Sequence, residues 1–547
     1  MALKNLSTVP CDVLVIGGGG TGLRAAIEAK ENGADVLIVS KSRVGYANNT
    51  YISKGTFAAA TGWGDSRDNP EVHIKDSIDG GRFINDKRLL AAVARHAAAQ
   101  IPFLEKCGVK FFRQHDVIAV THTPGHSYPR HVRGERQEGS DLIIPIRNYA
   151  ERIGVHFAER IFITRLFIKG DRVVAATGIA QDGSFMSFVA KSIILAMGGF
   201  AQVYLHTNNA PGITGDGQAL AFELGVPLKD MEFVQFYPTA LGNVGNRILL
   251  YEGFVFGAGG VLRNAQGDDI ISKQGLSDPM AMTRDRLTRA IMLEILEGRD
   301  IAGGVLMDLS AISEKKLAPL MHLLPAARSP DERKYVVSPT AHFCMGGIIV
   351  NEHAETAVPG LFAAGEVCAG VHGANRLGGN ALAEVFAMGE IAGKNAACQA
   401  QGMELPTAPA IEMTKEKNWV ESLYGKGDRD PGELRRELKQ VLWSKAGIIR
   451  TENELEEALR KVQELSSYLS RVHIGDTRGL LRYLELRNML FIGDAVCRAA
   501  LMRTETRGSH YRSDYPEEDN ENWLKNILVQ NQGSGMRLET ASVDRVP

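Results

Sequence analysis

Near its N-terminus the chain passes from an apolar run through glycines into an alanine-rich stretch. Residues 11–16 are almost continuously apolar, which predicts a buried strand. A helix is predicted over 23–32 and a second strand over 36–39. Glycines in the spacing G-x-G-x-x-G separate the first strand from the helix: Gly17, Gly19 and Gly22. This strand–turn–helix context predicts a dinucleotide site, with the pyrophosphate at the helix N-terminus.

The C-terminal third shows a different period. Long helices are predicted over 451–472 and 477–503. In the first, apolar residues recur on one helical face: Leu455, Leu459, Val462 and Leu465. A proline- and charge-rich stretch near 405–432 predicts a linker before these helices. Residues 516–547 form a polar tail without a clear period, which is typical of disorder or of a segment that docks on a partner.

Composition excludes several function classes. The 547 residues are enough for about two to four domains, and the net charge of −2 argues against a nucleic-acid binder. Six scattered cysteines without a C-x-x-C pair argue against an iron–sulfur or zinc site and predict reduced thiols, so we expect no metal in this chain. No signal peptide is evident, and no apolar run approaches the ~20 residues of a membrane span. We expect a cytoplasmic protein that meets a membrane only through a partner.

The second predicted strand lacks the acidic residue that usually binds the ribose of a dinucleotide. It ends at Ser40 and Lys41 instead, although a serine hydroxyl can still hydrogen-bond a ribose. No second G-x-G-x-x-G stands between a strand and a helix, so we expect one dinucleotide and no separate nicotinamide site. If that dinucleotide is FAD, electrons must enter or leave through another protein, a quinone or oxygen.

An arginine far downstream points to the substrate. Arg376 lies in the glycine-dense, low-charge stretch 371–380, where a bare guanidinium would be costly to bury. A lone arginine is usually a solvated surface charge, but the planar fork of this one matches a carboxylate. We predict that Arg376 binds an acidic substrate beside the cofactor.

Several further segments carry a family resemblance. They are K-S-I-I-L-A-M-G-G at 191–199, T-G-D-G at 214–217, M-E-F-V-Q-F-Y-P-T at 231–239, T-A-H-F-C-M-G-G at 340–347, G-L-F-A-A-G-E at 360–366 and E-T-R-G-S-H at 505–510. With the Arg376 stretch they resemble the flavoprotein subunits of succinate dehydrogenase and fumarate reductase, whose superfamily includes L-aspartate oxidase. The resemblance runs in order and at the family's spacing from about residue 8 to about residue 530.

The resemblance implies an α/β fold: a Rossmann-like FAD-binding domain interrupted by an α+β capping domain and followed by a C-terminal helical domain. The expected divisions are 1–235 and 341–405 for the FAD domain, 236–340 for the cap, 406–515 for the helical domain and 516–547 for the tail. The residues it implies as FAD contacts are Gly17, Gly19, Gly20, Gly22, Ser40, Lys41, Asn49, Thr50, Gly55, Asp216, Glu366, Asn380, Ala381 and Leu382. The family often links FAD to a histidine, and counting from Ser40 that position is Asn48. We therefore expect non-covalent FAD, with a somewhat lowered flavin potential that favours reduction of the substrate.

The resemblance also implies the catalytic residues. Arg284 would move a proton, while His342 and Arg376 would bind the carboxylate nearest the flavin. Helical spacing alone would make 284, 286 and 289 a basic surface stripe, and we keep that interpretation for Arg286. An arginine acts as a general acid only if a buried carboxylate returns its proton, and Glu252 is the member of the family's relay that this chain retains.

The far side of the implied pocket departs from the family. The histidine and threonine that bind a second carboxylate are replaced by Tyr237 and Tyr251, and the relay's second arginine by Val255. Phe254 and Phe256 make the neighbourhood aromatic. A tyrosine donates one hydrogen bond and cannot offset the desolvation of a second carboxylate, so we expect a neutral, flat or apolar distal group. The alternative is that the tyrosines are conservative replacements and the substrate is fumarate or succinate.

These residues predict an FAD-dependent oxidoreductase that interconverts a saturated carboxylic acid and its α,β-unsaturated partner. The alternatives are plain fumarate reductase or succinate dehydrogenase activity, C–N oxidation as in L-aspartate oxidase, and an electron-transfer protein with a vestigial pocket. Retained Arg284, His342 and Arg376 argue against the last, because a dead pocket has no need of buried cations. Without a second redox centre in the chain, we expect an iron–sulfur subunit or another electron donor as partner.

Overall fold

The predicted N-terminal unit lies at the centre of a seven-stranded sheet. The structure, a computed structural model, describes residues 4–242, 245, 247–275, 282–324, 333–425, 427–533 and 535–543. The central strand Lys4–Ile16 pairs in parallel with Val36–Ser40 on one side and Ser184–Leu195 on the other. The remaining strands of this sheet are His156–Glu159, Ile161–Lys169, Arg172–Ala180 and Leu361–Ala363. The carboxyl ends of the parallel strands meet at one edge, where such folds bind nucleotides.

Helices cover this sheet and complete the first domain. They are Gly20–Glu31, Asn49–Ile52, Pro70–Gly80, Lys87–Ala97, Gln100–Cys107, Ser140–Arg152, Asp216–Glu223 and Asn380–Ala400. The helix Gly20–Glu31 begins three residues earlier than predicted and packs along Asn380–Ala400. A Cβ atom at Gly393 would lie 2.2 Å from the carbonyl oxygen of Ala25, so only glycine lets these two backbones approach so closely. There are also two short antiparallel strand pairs: Thr56–Ala58 with His131–Arg133, and the hairpin Arg113–Gln114 with Val117–Ile118.

The middle of the chain forms a second, antiparallel sheet with its own hydrophobic core. Its strands, in spatial order, are Val234–Leu241, Lys334–Cys344, Val305–Asp308 and Val261–Arg263. The helices on it are Gly253–Phe256, Ile270–Lys273, Arg284–Leu296 and Glu314–Leu317, with a 3₁₀ helix at Ala318–Leu323. The core of this unit runs from Leu241 to Val337 and is separate from that of the first domain. The predicted boundary at 235/236 falls inside the strand Val234–Leu241, and the boundary at 340/341 falls inside Lys334–Cys344. These two continuous strands therefore join the units.

The C-terminal part is helical, as predicted, but its connections differ. The helices are Ala410–Ser422, Pro431–Lys445, Glu452–Ser467 and Thr477–Met502, followed by the short Asn520–Trp523. The expected linker thus contains a 13-residue helix, whose Met413 and Val420 are buried. In the helix Glu452–Ser467, Leu455, Val462 and Leu465 face the core as predicted. The α/β fold with a cap and a C-terminal helical domain is confirmed.

Of the two interpretations of the tail, disorder and docking on a partner, disorder is wrong for the residues described there. Strands Lys525–Asn531 and Met536–Ser542 pair with each other, and the first also pairs with Leu228–Lys229, which pairs with Gly347–Ile348. Ile527 and Val529 are fully buried, and the short apolar run 527–529 inside a polar stretch lies in a strand. Residues 544–547 lie outside the described residues. Within the described ranges, none of the helices combines the length and apolarity needed to cross a bilayer.

Candidate active site

A cavity of about 520 Å³ runs from the carboxyl edge of the parallel sheet to the capping unit. Its first end is the glycine loop and the end of the strand Val36–Ser40. Its other end is formed by Tyr237, Glu252 and Arg284 from the cap side, with His342 and Arg376. One continuous space therefore joins the predicted dinucleotide site to the predicted substrate site.

The glycine loop has the shape that a pyrophosphate requires. Gly17 has φ +124°, and a Cβ there would lie 2.1 Å from the carbonyl oxygen of Ala196. At Gly19, in contrast, a Cβ would meet nothing closer than 3.9 Å, so the backbone is open to the cavity. Gly19, the N-cap of the helix Gly20–Glu31, has no side chain, and the Gly20 N–H donates to Thr50 Oγ1 at 3.2 Å. A helix N-terminus beside an open glycine suits a phosphate, so the residues fit a dinucleotide.

Most of the predicted cofactor residues line the cavity. Those that do are Gly17, Gly19, Gly20, Ser40, Lys41, Asn49, Thr50, Asp216, Glu366, Ala381 and Leu382. Gly22, Gly55 and Asn380 are not among its lining residues. A Cβ at Gly22 or Gly55 would strike the carbonyl oxygens of Gly17 and Glu138, so both glycines serve backbone packing. The side chain of Asn380 is used by His73 and Ser77.

Glu366 lies between the two ends of the cavity. One oxygen accepts a hydrogen bond from Asn49 Nδ2 at 3.0 Å, and the other accepts from the backbone N–H of Cys344 at 3.2 Å. Burial raises the pKa of this carboxyl to about 7. Near neutral pH it can therefore present either a carboxylate or an O–H donor to a bound group.

Arg284 and Glu252 form the principal ion pair of the cap end. Arg284 Nε lies 2.9 Å from both carboxylate oxygens of Glu252, and its Nη2 also contacts one of them. Burial opposes the charge, but Glu252 nevertheless raises the pKa of Arg284. Arg284 Nη1 is buried without a hydrogen-bond partner among the described residues. Two residues further along the same helix Arg286 is exposed, which confirms the surface interpretation of that residue.

Arg376 is buried without a carboxylate partner among the described residues. Its side chain is 5% exposed, Nη2 donates to Gln235 Oε1 at 2.9 Å, and Nε has no partner. The guanidinium lies over the Phe343 ring at 4.7 Å. Burial and the charge of Arg284 lower the pKa of Arg376 to about 9, so it still carries its charge at neutral pH. A desolvated cation facing a cavity is a site for an anion.

His342 lies between the two arginines and Tyr237. Its Nδ1 is 3.0 Å from Asn208 Oδ1, and its ring centroid is 5.2 Å from that of Tyr237. Burial, together with the charges of Arg376 and Arg284, holds its pKa well below the usual range, so the imidazole is neutral. Asn208 also lines the cavity and was not predicted from the sequence.

Both tyrosines of the expected distal side, Tyr237 and Tyr251, line the cavity. The Tyr237 hydroxyl accepts a hydrogen bond from the backbone N–H of Glu252 at 3.1 Å, and Arg284 lies over the Tyr237 ring. Tyr251 and Phe256 line the cavity, whereas Phe254 and Val255 are buried in the cap core. Lys54, which was not predicted, also lines the cavity, and burial lowers the pKa of its amine.

Comparison with known proteins agrees with this geometry. Residues 12–382 match the FAD binding domain model, and residues 435–546 match the model for the fumarate reductase flavoprotein C-terminus. The chain is 37% identical over 534 residues to a subunit of the fumarate reductase (CoM/CoB) of Methanothermobacter marburgensis, covering 95% of this chain and 97% of that one. It is 33% identical to the 8-methylmenaquinol:fumarate reductase flavoprotein subunit of Wolinella succinogenes, covering 97% and 90%. A mutant of Escherichia coli quinol fumarate reductase superposes with a TM-score of 0.91 at 29% identity, covering 99% of this chain and 98% of that one.

The unpaired charge of Arg376 generates a prediction. We expect Arg376→Met to weaken binding of a small carboxylate such as crotonate at least about 100-fold, because the buried cation is its main partner. The protein should keep or gain thermal stability, since an uncompensated buried charge is removed. Titration followed by the flavin absorbance and a melting curve measure the two effects. Arg286→Met, on the exposed surface, is the matched control; lower stability with unchanged carboxylate affinity would contradict the assignment.

Proposed function

Because the chain belongs to the succinate dehydrogenase/fumarate reductase flavoprotein family and is an FAD-dependent oxidoreductase, we propose that it interconverts an α,β-unsaturated carboxylic acid and its saturated partner. The observation that supports this most directly is the unpaired, buried Arg376 in the same cavity as the Arg284–Glu252 pair. The first group suits a carboxylate, and the second suits proton transfer to a carbon near it. Bound FAD supplies the hydride exchange with the other carbon.

In this proposal each side chain has one task. Arg376 and His342 hold the substrate carboxylate, and the uncharged imidazole adds no second positive charge. Arg284 holds at its guanidinium the proton that goes to the substrate carbon, and after each turnover Glu252 replaces it with a proton taken up from solvent. The backbone N–H of Glu252 is fixed by the Tyr237 hydroxyl, whose ring lies against Arg284. The proton donor Arg284, the carboxylate of Glu252 and the ring of Tyr237 therefore form one contiguous group.

The charges of the cavity bear on the substrate class. Glu252 compensates Arg284, and Asp216 with Glu485 compensate Lys41. Of the two lining cations without an ion pair among the described residues, Arg376 and Lys54, Arg376 is the more deeply buried. We propose a substrate with one carboxylate, held by the carboxylate clamp of Arg376 and His342, and a neutral group that contacts Tyr237 and Tyr251. Two phenols donate hydrogen bonds but bring no charge to offset the desolvation of a second carboxylate.

Fumarate or succinate is the second candidate, and two observations favour it. The relative from Methanothermobacter is named a fumarate reductase. Lys54 precedes Gly55, whose carbonyl oxygen accepts a hydrogen bond from Gly134 N. That turn continues to Gln137, which lines the cavity together with Tyr251. Lys54 thus lies on the side of the cavity where a second carboxylate would be found. L-aspartate oxidase-like C–N oxidation remains a third alternative, against which the loss of the distal histidine and threonine weighs.

We further propose that the FAD is held without a covalent bond. Asn48 lines the cavity, but its side chain caps the helix Asn49–Ile52, where Oδ1 accepts from Tyr51 N at 3.0 Å. The neighbouring Asn49 bonds to Glu366. The first histidine of the chain is His73, so no histidine lies near Asn48 in the sequence.

We propose that the electron-transfer partner is an iron–sulfur subunit, and any contact with a membrane would come through such a partner. The two fumarate reductase relatives are named as subunits, which supports assembly with other chains. One end of the cavity is the dinucleotide site. The sequence contains no second glycine-rich loop of the same kind between a strand and a helix, so a nicotinamide donor is not favoured.

The proton route predicts the effect of one substitution. Glu252→Gln should lower the rate at which an unsaturated acid reoxidises the reduced flavin by about 10²–10⁴-fold, because an amide cannot return the proton. Reduction of the flavin by dithionite and the apparent KM should stay near the wild-type values. Stopped-flow absorbance measures both steps. Glu297→Gln, which removes a half-exposed partner of Arg299 elsewhere in the cap, is the control; equal rates in the two variants would argue against Glu252.

The substrate class is tested by an acid panel. Reduced protein mixed anaerobically with fumarate, crotonate or cinnamate should be reoxidised faster by the monocarboxylates. Tyr237→His should shift the preference toward fumarate, whereas Tyr515→His, at an exposed tyrosine away from the cavity, should not. Fast reoxidation by fumarate alone, lost in Lys54→Ala, would establish the second candidate instead.

The state of the cofactor is tested by precipitation. Acid treatment should leave the flavin in the supernatant as intact FAD, and the denatured protein should show no fluorescent band on a gel. A fluorescent band would contradict the non-covalent assignment, whatever the substrate proves to be.

A further inference from the structure

The missing acid at the end of the second strand has a substitute elsewhere in the fold. We propose that Glu485, from the C-terminal helix Thr477–Met502, supplies the carboxylate that binds the hydroxyl groups of the adenosine ribose of FAD. In a Rossmann unit this position belongs to an acid at the end of the second strand, where Ser40 and Lys41 stand here. Glu485 lies more than 440 residues later in the sequence than Lys41, with which it forms an ion pair.

Lys41 brings the distant carboxylate to the strand end. Its Nζ lies 2.6 Å from Asp216 Oδ2, 2.8 Å from Thr214 Oγ1 and 3.0 Å from Glu485 Oε1. The pKa of this half-buried amine is raised, because the attraction of Asp216 and Glu485 exceeds the cost of desolvation. Ser40, Lys41 and Glu485 all line the cavity that begins at the glycine loop. The ribose of a dinucleotide bound on that loop would therefore meet Glu485.

Of the two carboxylates on Lys41, Glu485 is the one with free acceptor capacity. Asp216 is 4% exposed and already accepts three hydrogen bonds: from Lys41, Thr214 and Asn488. Glu485 is 18% exposed, and each of its oxygens accepts one bond, from Lys41 at 3.0 Å and from Arg435 at 2.9 Å. A carboxylate offers about four acceptor sites, so a vicinal diol can still bind there. The two cations compensate the charge of Glu485 and hold its side chain in place.

Arg435 extends the same contact to a second helix of the C-terminal part. It belongs to Pro431–Lys445, lines the cavity and is held by Glu485. The adenosine end of the cofactor would thus lie between the N-terminal sheet and two C-terminal helices. It follows that FAD binding should also tighten the packing of the helical domain on the first domain.

The test uses full-length apoprotein from a riboflavin-starved host, titrated with FAD and followed by the quenching of flavin fluorescence. We expect Glu485→Gln to weaken FAD binding about 10- to 100-fold, the loss that removal of a charge-assisted hydrogen bond produces. The matched control is Glu223→Gln, because Glu223 lies away from the cavity. This substitution breaks an ion pair with Arg487, which belongs to the same helix as Glu485. Circular dichroism confirms that both variants are folded, and Glu485→Asp provides a second, conservative variant that should bind FAD more tightly than Glu485→Gln.

Analogues separate a direct contact from a displaced lysine. FAD lacking the 2′- or 3′-hydroxyl of its adenosine ribose should bind the wild type more weakly than FAD does, and Glu485→Gln should not discriminate between them. FMN, which has no adenosine, should bind both proteins equally. Unchanged FAD affinity in Glu485→Gln would overturn the inference. A loss of affinity in that variant that is equally large for FAD and for both deoxy analogues would overturn it as well. No substrate is used, so the result does not depend on the proposed reaction.

Discussion

A buried guanidinium without a counterion is the constraint on which the active-site end depends. Leaving a charge unpaired in the interior costs several kcal/mol, and the fold offsets only part of that cost for Arg376. Gln235 supplies one hydrogen bond and Phe343 an aromatic face, while Nε remains without a partner among the described residues. The part of this cost that the fold does not offset is recovered when an anion binds to Arg376. Because the group is already desolvated and oriented, the anion meets a preorganised site.

Of the cations that line the cavity, Lys41, Arg284 and Arg376 differ in their partners, and these partners distinguish their tasks. Arg284 is ion-paired with Glu252, so it is suited to exchange a proton with that carboxylate rather than to bind an external one. Lys41 is saturated by Asp216 and Glu485, so it organises other groups at the cofactor end. Arg376 alone of the three is left without an acid in the described part of the chain. The type of residue does not separate these roles, since all three are cations; the position of the carboxylates does.

What the sequence predicted was mostly local. The turn at Gly17 and Gly19, the helix after it and the apolar face of Glu452–Ser467 depend on residues close in sequence, and the structure contains all three. Local patterns of this kind could not predict contacts between segments that are distant in the sequence. Glu485 is an ordinary polar residue of a long helix until Lys41 binds it, and Asn208 becomes informative only beside His342. The family resemblance supplied Arg284, His342 and Arg376, but it could not show which of them lacks a counterion.

The geometry of these residues depends on how the two units are joined. Tyr237 and His342 lie on the antiparallel pair Val234–Leu241 and Lys334–Cys344, the strands that connect the units, which explains the contact of their rings. Glu252 and Arg284 lie wholly within the cap, whereas Arg376 belongs to the first domain. Asp285, next to Arg284, accepts a hydrogen bond at 3.1 Å from Asn375, next to Arg376.

Gln235 donates to both Asn375 Oδ1 and the carbonyl oxygen of Arg376. A displacement of the cap would therefore carry the proton donor away from the carboxylate clamp, and the Asp285–Asn375–Gln235 network opposes it. Proton donor and clamp are aligned only while that network is intact, so the separation of the two arginines is set by buried amides between the units and not by either unit alone.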